Sequence, residues 1–202
     1  MQQPELFDAG SAVGLDEAIA KTNAEALARV HGLGYVLGYI SGDEEAELLA
    51  AIDEGAWSNE LERRVQHFGY KYDYRARRID PTMRVGDLPQ WLRSIATRLY
   101  DGGFFESIPD QVIANEYLPG QGIAPHIDCE PCFGDTIVSL SLGSSVVMHF
   151  TSVPDGEQLP VWLARRSIVV LKGASRYEWK HGIARRKKDV VGEAPVPRSR
   201  RV

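Results

Sequence analysis

The sequence predicts an α+β domain in which helices precede a rolled β-sheet. Before residue 103, apolar residues recur at helical spacing in two segments, whereas from residue 111 onward short apolar runs are separated by turn residues. Strands spaced by about 8–12 residues favour a sandwich or barrel over alternating β-α units. A chain of 202 residues with 44% hydrophobic residues fits one globular domain with a core of its own.

Two helices are predicted from capping and turn signals. Ser41 and Glu44 form a capping box directly before residues with helical apolar spacing, which indicates a helix N-terminus. A second helix is predicted to begin near Asp87, with Pro89 in its first turn, and to end at Gly102–Gly103. The apolar stripes of both helices are expected to face the core.

The strands are predicted from apolar runs bounded by glycine, proline and other turn residues. These runs are residues 112–117, 136–142, 145–150, 161–164 and 167–171. By contrast, residues 1–20, which contain Pro4, Gly10 and Gly14, are expected to form a flexible N-terminal arm. Residues 21–202 are then the single folded domain.

The net charge of −5 conceals a segregation of charge along the chain. Residues 1–62 carry 2 basic and 13 acidic side chains (2 − 13 = −11), whereas residues 63–84 carry 7 basic and 2 acidic ones (7 − 2 = +5). Residues 180–202 carry 8 basic and 2 acidic side chains (8 − 2 = +6). Each basic block is either a solvated face or a surface that meets a polyanion.

Aromatic residues interleave with the first basic block, at Phe68, Tyr70, Tyr72 and Tyr74. Such rings can stack on bases beside cations that meet phosphates, so nucleic-acid binding is predicted. The alternative is that alternating aromatics simply make a good strand.

The sequence also predicts where the protein works. No apolar run approaches the roughly 18 residues of a membrane helix, and the N-terminus lacks a basic segment followed by an apolar one. A cytoplasmic monomer with no membrane partner is therefore expected. The two cysteines, Cys129 and Cys132, cannot form a disulfide framework, which agrees with a reducing compartment.

Three residues are predicted to bind a metal. His126 and Asp128 are two positions apart, so an extended segment would place both side chains on one face. His181 follows Asp128 by 181 − 128 = 53 residues, which suits a ligand from a distant strand. Two histidines and one carboxylate form a facial triad that leaves positions open on Fe(II). His149, inside an apolar strand, is interpreted as a pocket or core residue.

A zinc site is the competing interpretation of this region. The C-x-x-C pair Cys129 and Cys132 lies beside His126, and cysteine with histidine is a common zinc ligand set. Zinc deaminases, however, require H-x-E with the cysteine motif well downstream. The other alternative is that the cysteines are simply small residues in a loop.

The motifs around these residues resemble those of the AlkB family of oxygenases. The matching segments occur in order between about residue 63 and the end of the chain: residues 64–70, 115–120, 125–128, 137–143 and 176–183. Residues 64–70 resemble the substrate-recognition lid of that family, which is expected to span about residues 60–85. Their closest resemblance is to the branch that includes the tRNA wobble-uridine hydroxylases.

The resemblance implies a fold and a set of cofactors. The fold is a double-stranded β-helix (jelly roll) with N-terminal helices packed on one side. The cofactors are Fe(II), held by the three predicted ligands, with O2 and the co-substrate 2-oxoglutarate. Asn115 and Tyr117 would bind 2-oxoglutarate, as would Arg201, the first of two arginines in the family's final strand. The second arginine is absent, so the sequence is expected to be cut short within that strand.

The resemblance also implies a substrate. Arg64, His67, Tyr70 and Glu130 are expected to lie near the substrate, which would be alkylated DNA or RNA, including tRNA. The expected reaction is oxidative demethylation of an alkylated nucleobase. The alternatives are hydroxylation of a modified tRNA base or of a protein side chain, and a metal-binding module without catalytic activity.

Overall fold

The computed structural model describes the backbone of residues 9–202 and the side chains from residue 15 onward. Its helices are α1 (Ala9–Arg29), α2 (Gly42–Glu54), α3 (Gln90–Asp101) and α4 (Ala174–Tyr177), with a 3-10 turn at Pro81–Met83. Its strands are β1 (Leu33–Val36), β2 (Val65–Phe68), β3 (Val112–Asn115), β4 (Ile123–His126), β5 (Ile137–Leu140), β6 (Val146–Ser152), β7 (Gln158–Leu163), β8 (Ile168–Leu171), β9 (Trp179–Ile183), β10 (Lys188–Val191) and β11 (Ala194–Pro197).

Two antiparallel sheets enclose the core, in agreement with the predicted α+β class. One sheet has the order β4-β9-β6-β7 and the other the order β1-β8-β5, while β2-β3 and β10-β11 form separate pairs. Alternate side chains of strand β8 point to opposite faces of its sheet, and one of these faces contributes to the core between the sheets. Its Val169 and Leu171 lie in one core cluster with Phe150 of β6, whereas Ile168 and Val170 face the other way. A period of two residues produces this alternation.

The predicted helices both exist, with one difference at a boundary. The capping box at α2 is confirmed, because Ser41 Oγ accepts from the Glu44 amide and the Ser41 amide donates to the Glu44 carboxylate. Helix α3 begins at Gln90, not near Asp87, and Pro89 is its extended N-cap. The reason is steric, since a proline disfavours helical geometry at the residue before it. The predicted end at Gly102 is confirmed.

The prediction of a flexible arm over residues 1–20 is wrong from residue 15 onward. Leu15 and Ile19 belong to α1 and pack against Val147 and Trp162. Asn23 then pairs with the Trp162 backbone, donating to its carbonyl at 3.0 Å and accepting from its amide at 2.8 Å. The glycines and many alanines of α1 give it only a weak amphipathic pattern, so the sequence does not reveal which face is buried. The helix is stabilised by its tertiary contacts with the sheet. Residues 1–8 of the predicted arm lie outside the described residues.

The five predicted strand runs correspond to β3 and β5–β8, whereas β1, β2, β4 and β9–β11 lie outside those runs. Among these, β10 and β11 pair with each other as a C-terminal hairpin. Their charged residues and prolines obscure the strand pattern. A buried ion pair holds this hairpin in place: Arg198 forms two hydrogen bonds of 2.6 Å with Asp189, and Asp189 also accepts from the Val147 amide at 3.2 Å. Among the described residues, no helix is long and apolar enough to cross a membrane.

Candidate metal centre

The sheet brings His126 and His181 side by side. Strand β4 pairs antiparallel with β9, and His126 lies directly opposite His181, with ring centroids 4.5 Å apart. Asp128 follows the end of β4. Its Oδ1 lies 3.6 Å from His126 Nε2, and its Oδ2 lies 3.5 Å from His181 Nε2. One donor atom from each residue lies within 4.8 Å of the others, so the structure brings together all three predicted ligands.

Hydrogen bonds orient these donors for a cation. His126 Nδ1 lies 2.9 Å from the Ala124 carbonyl oxygen, which can only accept, so the proton is on Nδ1 and the Nε2 lone pair faces Asp128. Asp128 Oδ2 and His181 Nδ1 are buried without a hydrogen-bond partner in the described part of the chain. A buried carboxylate oxygen without a donor is costly unless a ligand satisfies it. The donor set therefore fits a divalent metal.

The electrostatics of the site favour its metal-binding form. Burial lowers the pKa of His181 to about 4, so its imidazole is neutral near pH 7. Burial opposes ionisation of Asp128, but favourable interactions with His126, His181 and Arg176 hold the pKa of this carboxyl below its ordinary range. Neutral imidazoles and an ionised carboxylate are the protonation states that bind a metal.

Arg201 is a buried cation beside Tyr117. The two residues exchange backbone hydrogen bonds of 2.8 and 3.0 Å, and the Arg201 guanidinium donates to Ser141 Oγ at 2.8 Å and the Ser144 carbonyl at 3.2 Å. Burial lowers the pKa of Arg201 to about 10, which still leaves it charged at neutral pH. No carboxylate of the described residues pairs with it, although Arg201 is only 5% exposed. This guanidinium fits a ligand carboxylate.

Asn115 is already engaged by a residue that the sequence did not single out for the site. Its Oδ1 accepts from Arg63 Nε at 2.8 Å, and its Nδ2 donates to the Ile113 carbonyl at 3.3 Å. The Arg63 guanidinium also lies 5.8 Å from the ring centroids of both Tyr74 and Tyr117. The basic and aromatic pattern of residues 63–74 was the available signal, but it does not distinguish Arg63 from its neighbours.

The predicted substrate residues separate into two groups. The His67 ring centroid lies 5.6 Å from that of Tyr74, which Arg63 also contacts. Glu130 is exposed in the loop after Asp128. Arg64 instead makes two hydrogen bonds of 2.6 and 2.7 Å with the buried Glu116. Tyr70 lies in a separate cleft against α3 that includes none of the three predicted ligands. The structure therefore does not bring Arg64 and Tyr70 to this centre.

The cysteines do not form a zinc site. Cys129 and Cys132 are joined to each other in a disulfide, so neither is a free thiol in the structure. Neither sulfur belongs to the metal-ligand cluster found among the described residues. His149 is also outside the cluster, because it points to the opposite face of β6 from Phe150, whose ring lies 6.1 Å from His181.

The sequence is similar to those of known proteins. Residues 54–202 match the 2OG-Fe(II) oxygenase superfamily. The chain is 43% identical over 171 residues to tRNA (carboxymethyluridine(34)-5-O)-methyltransferase ALKBH8 of Macaca fascicularis, covering 79% of this chain and 25% of that protein. It is 35% identical over 194 residues to the Alkylated DNA repair protein ALKBH8 homolog of Arabidopsis thaliana, covering 85% and 56%.

The fold is similar to that of a solved structure. The structure of OsALKBH1 superposes with a TM-score of 0.65 at 15% identity, covering 84% of this chain and 94% of that one. This chain spans only about a quarter of the macaque relative and about half of the Arabidopsis one. Family membership implies Fe(II) and 2-oxoglutarate as cofactor and co-substrate. The chain belongs to the 2OG-Fe(II) oxygenase superfamily and, within it, to the AlkB family.

Proposed function

We propose that this chain hydroxylates a modified uridine in tRNA and that His126, Asp128 and His181 bind its iron. The observation that carries the proposal is the convergence of these three donors within 4.8 Å. The relatives named for carboxymethyluridine 34 of tRNA support the substrate, at 38–43% identity. The two antiparallel sheets around this centre support a jelly-roll core for the domain.

The surrounding residues have distinct roles in this proposal. Bound iron would supply the oxidation of a C–H bond by O2, coupled to conversion of 2-oxoglutarate to succinate and carbon dioxide. Arg201 would bind a carboxylate of the co-substrate, and the Tyr117 hydroxyl would donate a hydrogen bond to the same ligand. The Asn115 side chain would also bind the co-substrate once the hydrogen bond from Arg63 to Asn115 Oδ1 is broken. Phe150 and the other apolar residues behind His181 would exclude water.

The structure divides the basic residues into two kinds. Several are paired internally: Arg64 with Glu116, Lys71 with Glu60, Arg84 with Asp87, Arg198 with Asp189, and Arg200 with Asp53 and Glu116. Within the part of the chain that the structure describes, Arg75 and Arg77 are exposed and make no ion pair, and the same is true of residues 186–188. These exposed cations are the candidates for contact with RNA phosphates.

Demethylation of an alkylated base is the second candidate function. The Arabidopsis relative, 35% identical, is named as an alkylated DNA repair protein. Both reactions would begin with hydroxylation of a carbon. They differ in whether that carbon is an N-methyl group, whose hydroxylated product releases formaldehyde, or a carbon substituent of the base, which retains the hydroxyl.

Succinate formation tests the proposed function. Protein loaded anaerobically with Fe(II) would receive O2 and 2-oxoglutarate, with either an anticodon stem-loop that carries a 5-carboxymethyl-type uridine or a strand with N1-methyladenine. We expect the first RNA to stimulate succinate and to gain one oxygen by mass spectrometry. Stimulation by the methylated strand, with formaldehyde, would replace the proposal by demethylation. Absence of succinate with either strand would contradict both.

Replacement of Arg75 and Arg77 by glutamine should weaken RNA binding. Because these cations make no ion pair in the described structure, we expect the salt dependence of log K to flatten by roughly 1–2 units, about 0.7 for each lost phosphate contact on a single strand. Lys71→Gln is the matched control, since Lys71 is paired with Glu60 at 2.8 Å. Fluorescence anisotropy at several salt concentrations measures the slope. An unchanged slope in the double variant would remove this surface from the RNA interface.

A further inference from the structure

Arg176 is a buried arginine that has no role in the function proposed above. It is 1% exposed, and no carboxylate of the described residues lies within ion-pair distance of it. Its Nη1 donates to the Asp128 carbonyl oxygen at 3.1 Å and its Nε donates to the Gly134 carbonyl oxygen at 3.4 Å. The guanidinium thus bridges the two ends of the loop 128–134, whose first residue is a predicted metal ligand.

Its neighbour Tyr177 contacts the same loop one residue further on. Tyr177 Oη donates to Asp135 Oδ1 at 2.6 Å, and the Arg176 guanidinium lies 5.0 Å from the Tyr177 ring centroid. Both residues belong to the short helix α4. The Ser175 amide of this helix donates to the His31 carbonyl, in the connection between α1 and β1, at 2.8 Å. The loop is therefore held from α4 at two adjacent points.

The position of α4 in the chain connects these contacts to the other ligand. Arg176 precedes His181 by 181 − 176 = 5 residues, and β9 begins two residues after α4 ends. One short segment therefore supplies His181 and also holds the backbone of Asp128.

We propose that Arg176 is a positioning residue, whose guanidinium holds the loop 128–134 so that the Asp128 carboxylate faces His126 and His181. This inference rests on the proposed metal role of those three residues. Burial of a guanidinium without a carboxylate partner is costly for folding. The two carbonyl contacts use the planar fork of arginine, which can span acceptors that an ammonium group cannot reach together. Partners of metal ligands orient them in this manner in other metal sites.

Cobalt(II) binding tests the proposal without relying on catalysis. Co(II) would be titrated anaerobically into the metal-free protein and followed by its visible absorption, whose shape reports the coordination geometry. For Arg176→Met we expect an affinity about 10–100-fold weaker, the usual effect of losing such a partner. Arg176→Lys should recover only part of this loss, because it restores the charge but not the bridge. Tyr177→Phe, the milder variant, should weaken binding less.

The matched control is Arg198→Met. Arg198 is also a buried arginine, but it pairs with Asp189 and the Ala184 carbonyl, neither of which belongs to the loop 128–134. We expect this variant to lower the unfolding midpoint and to leave Co(II) affinity unchanged. Hydrogen exchange of the metal-free proteins provides a second readout. The amides of Cys132 and Phe133, both bonded to the Cys129 carbonyl at 3.1 Å, should exchange faster in Arg176→Met but not in Arg198→Met.

The outcomes separate this inference from the proposed function. Weaker Co(II) binding together with faster loop exchange in Arg176→Met supports the inference. If the wild type binds Co(II), His126→Ala does not, and Arg176→Met binds like the wild type with unchanged exchange, the inference alone is wrong. If the wild type and His126→Ala bind Co(II) equally, the metal assignment fails and the inference fails with it.

Discussion

Replacement of His126 or Asp128 by alanine should abolish turnover of 2-oxoglutarate. Each residue contributes one of three donors that lie within 4.8 Å, and two donors alone hold a divalent ion poorly. We expect succinate formation below about 1% of the wild-type rate, since the metal supplies the reaction chemistry. The fold should survive, because both side chains are partly exposed and neither belongs to an apolar cluster. Succinate by mass spectrometry and far-UV circular dichroism measure the two effects.

His149→Gln is the control for these variants. His149 is half-buried on β6, opposite Gly182 of β9, and its side chain points away from Phe150 and the metal centre. Its substitution should therefore leave succinate formation close to the wild-type rate. Retained turnover in His126→Ala or Asp128→Ala would refute the metal assignment, whatever the result for His149.

Arg201→Met should raise the KM for 2-oxoglutarate by about 10–100-fold. A hydrogen bond to a charged group contributes about 1.5–3 kcal/mol, and each 1.4 kcal/mol is a factor of ten in affinity. Arg201 is the buried cation beside Tyr117 that lacks a carboxylate partner in the described structure, so its charge is available to the co-substrate. The value of kcat at saturating 2-oxoglutarate should fall less than kcat/KM, because the loss is in binding.

Arg200→Met is the matched control for this prediction. Arg200 is the adjacent residue, but its guanidinium pairs with Asp53 and Glu116. We expect lower stability and an unchanged KM. An equal rise in KM for both variants would indicate that the C-terminal segment acts through the fold, and an unchanged KM in Arg201→Met would exclude Arg201 as the carboxylate ligand.

The predicted ligands were accessible from the sequence because most of the information is local. His126 and Asp128 are two residues apart, and the motif around His181 identified the third donor. The capping box of α2 is likewise defined by four consecutive residues, and it was confirmed. Such features depend on backbone geometry over a few residues, which a sequence pattern expresses directly.

Helix α1 shows why other elements escaped prediction. Its hydrogen bonds between Asn23 and Trp162 join residues 139 positions apart, and its contacts with Val147 are similarly distant in sequence. A segment with glycines near its start and alanines along its length has only a weak amphipathic pattern. The helix exists because the sheet provides an apolar face for it to cover.

The sequence alone predicted the α+β class of the domain, helices α2 and α3, and the three residues whose donor atoms converge, His126, Asp128 and His181. Which arginines lack a carboxylate partner depends on the tertiary structure. Arg64 and Glu116 are 52 residues apart and Arg200 and Asp53 are 147 apart, yet each pair is joined, whereas Arg201 and Arg176 remain buried without a carboxylate of the described residues. The net charge of a segment can be counted from its sequence. Which of its arginines form ion pairs depends on the distant carboxylates that the fold brings within about 4 Å.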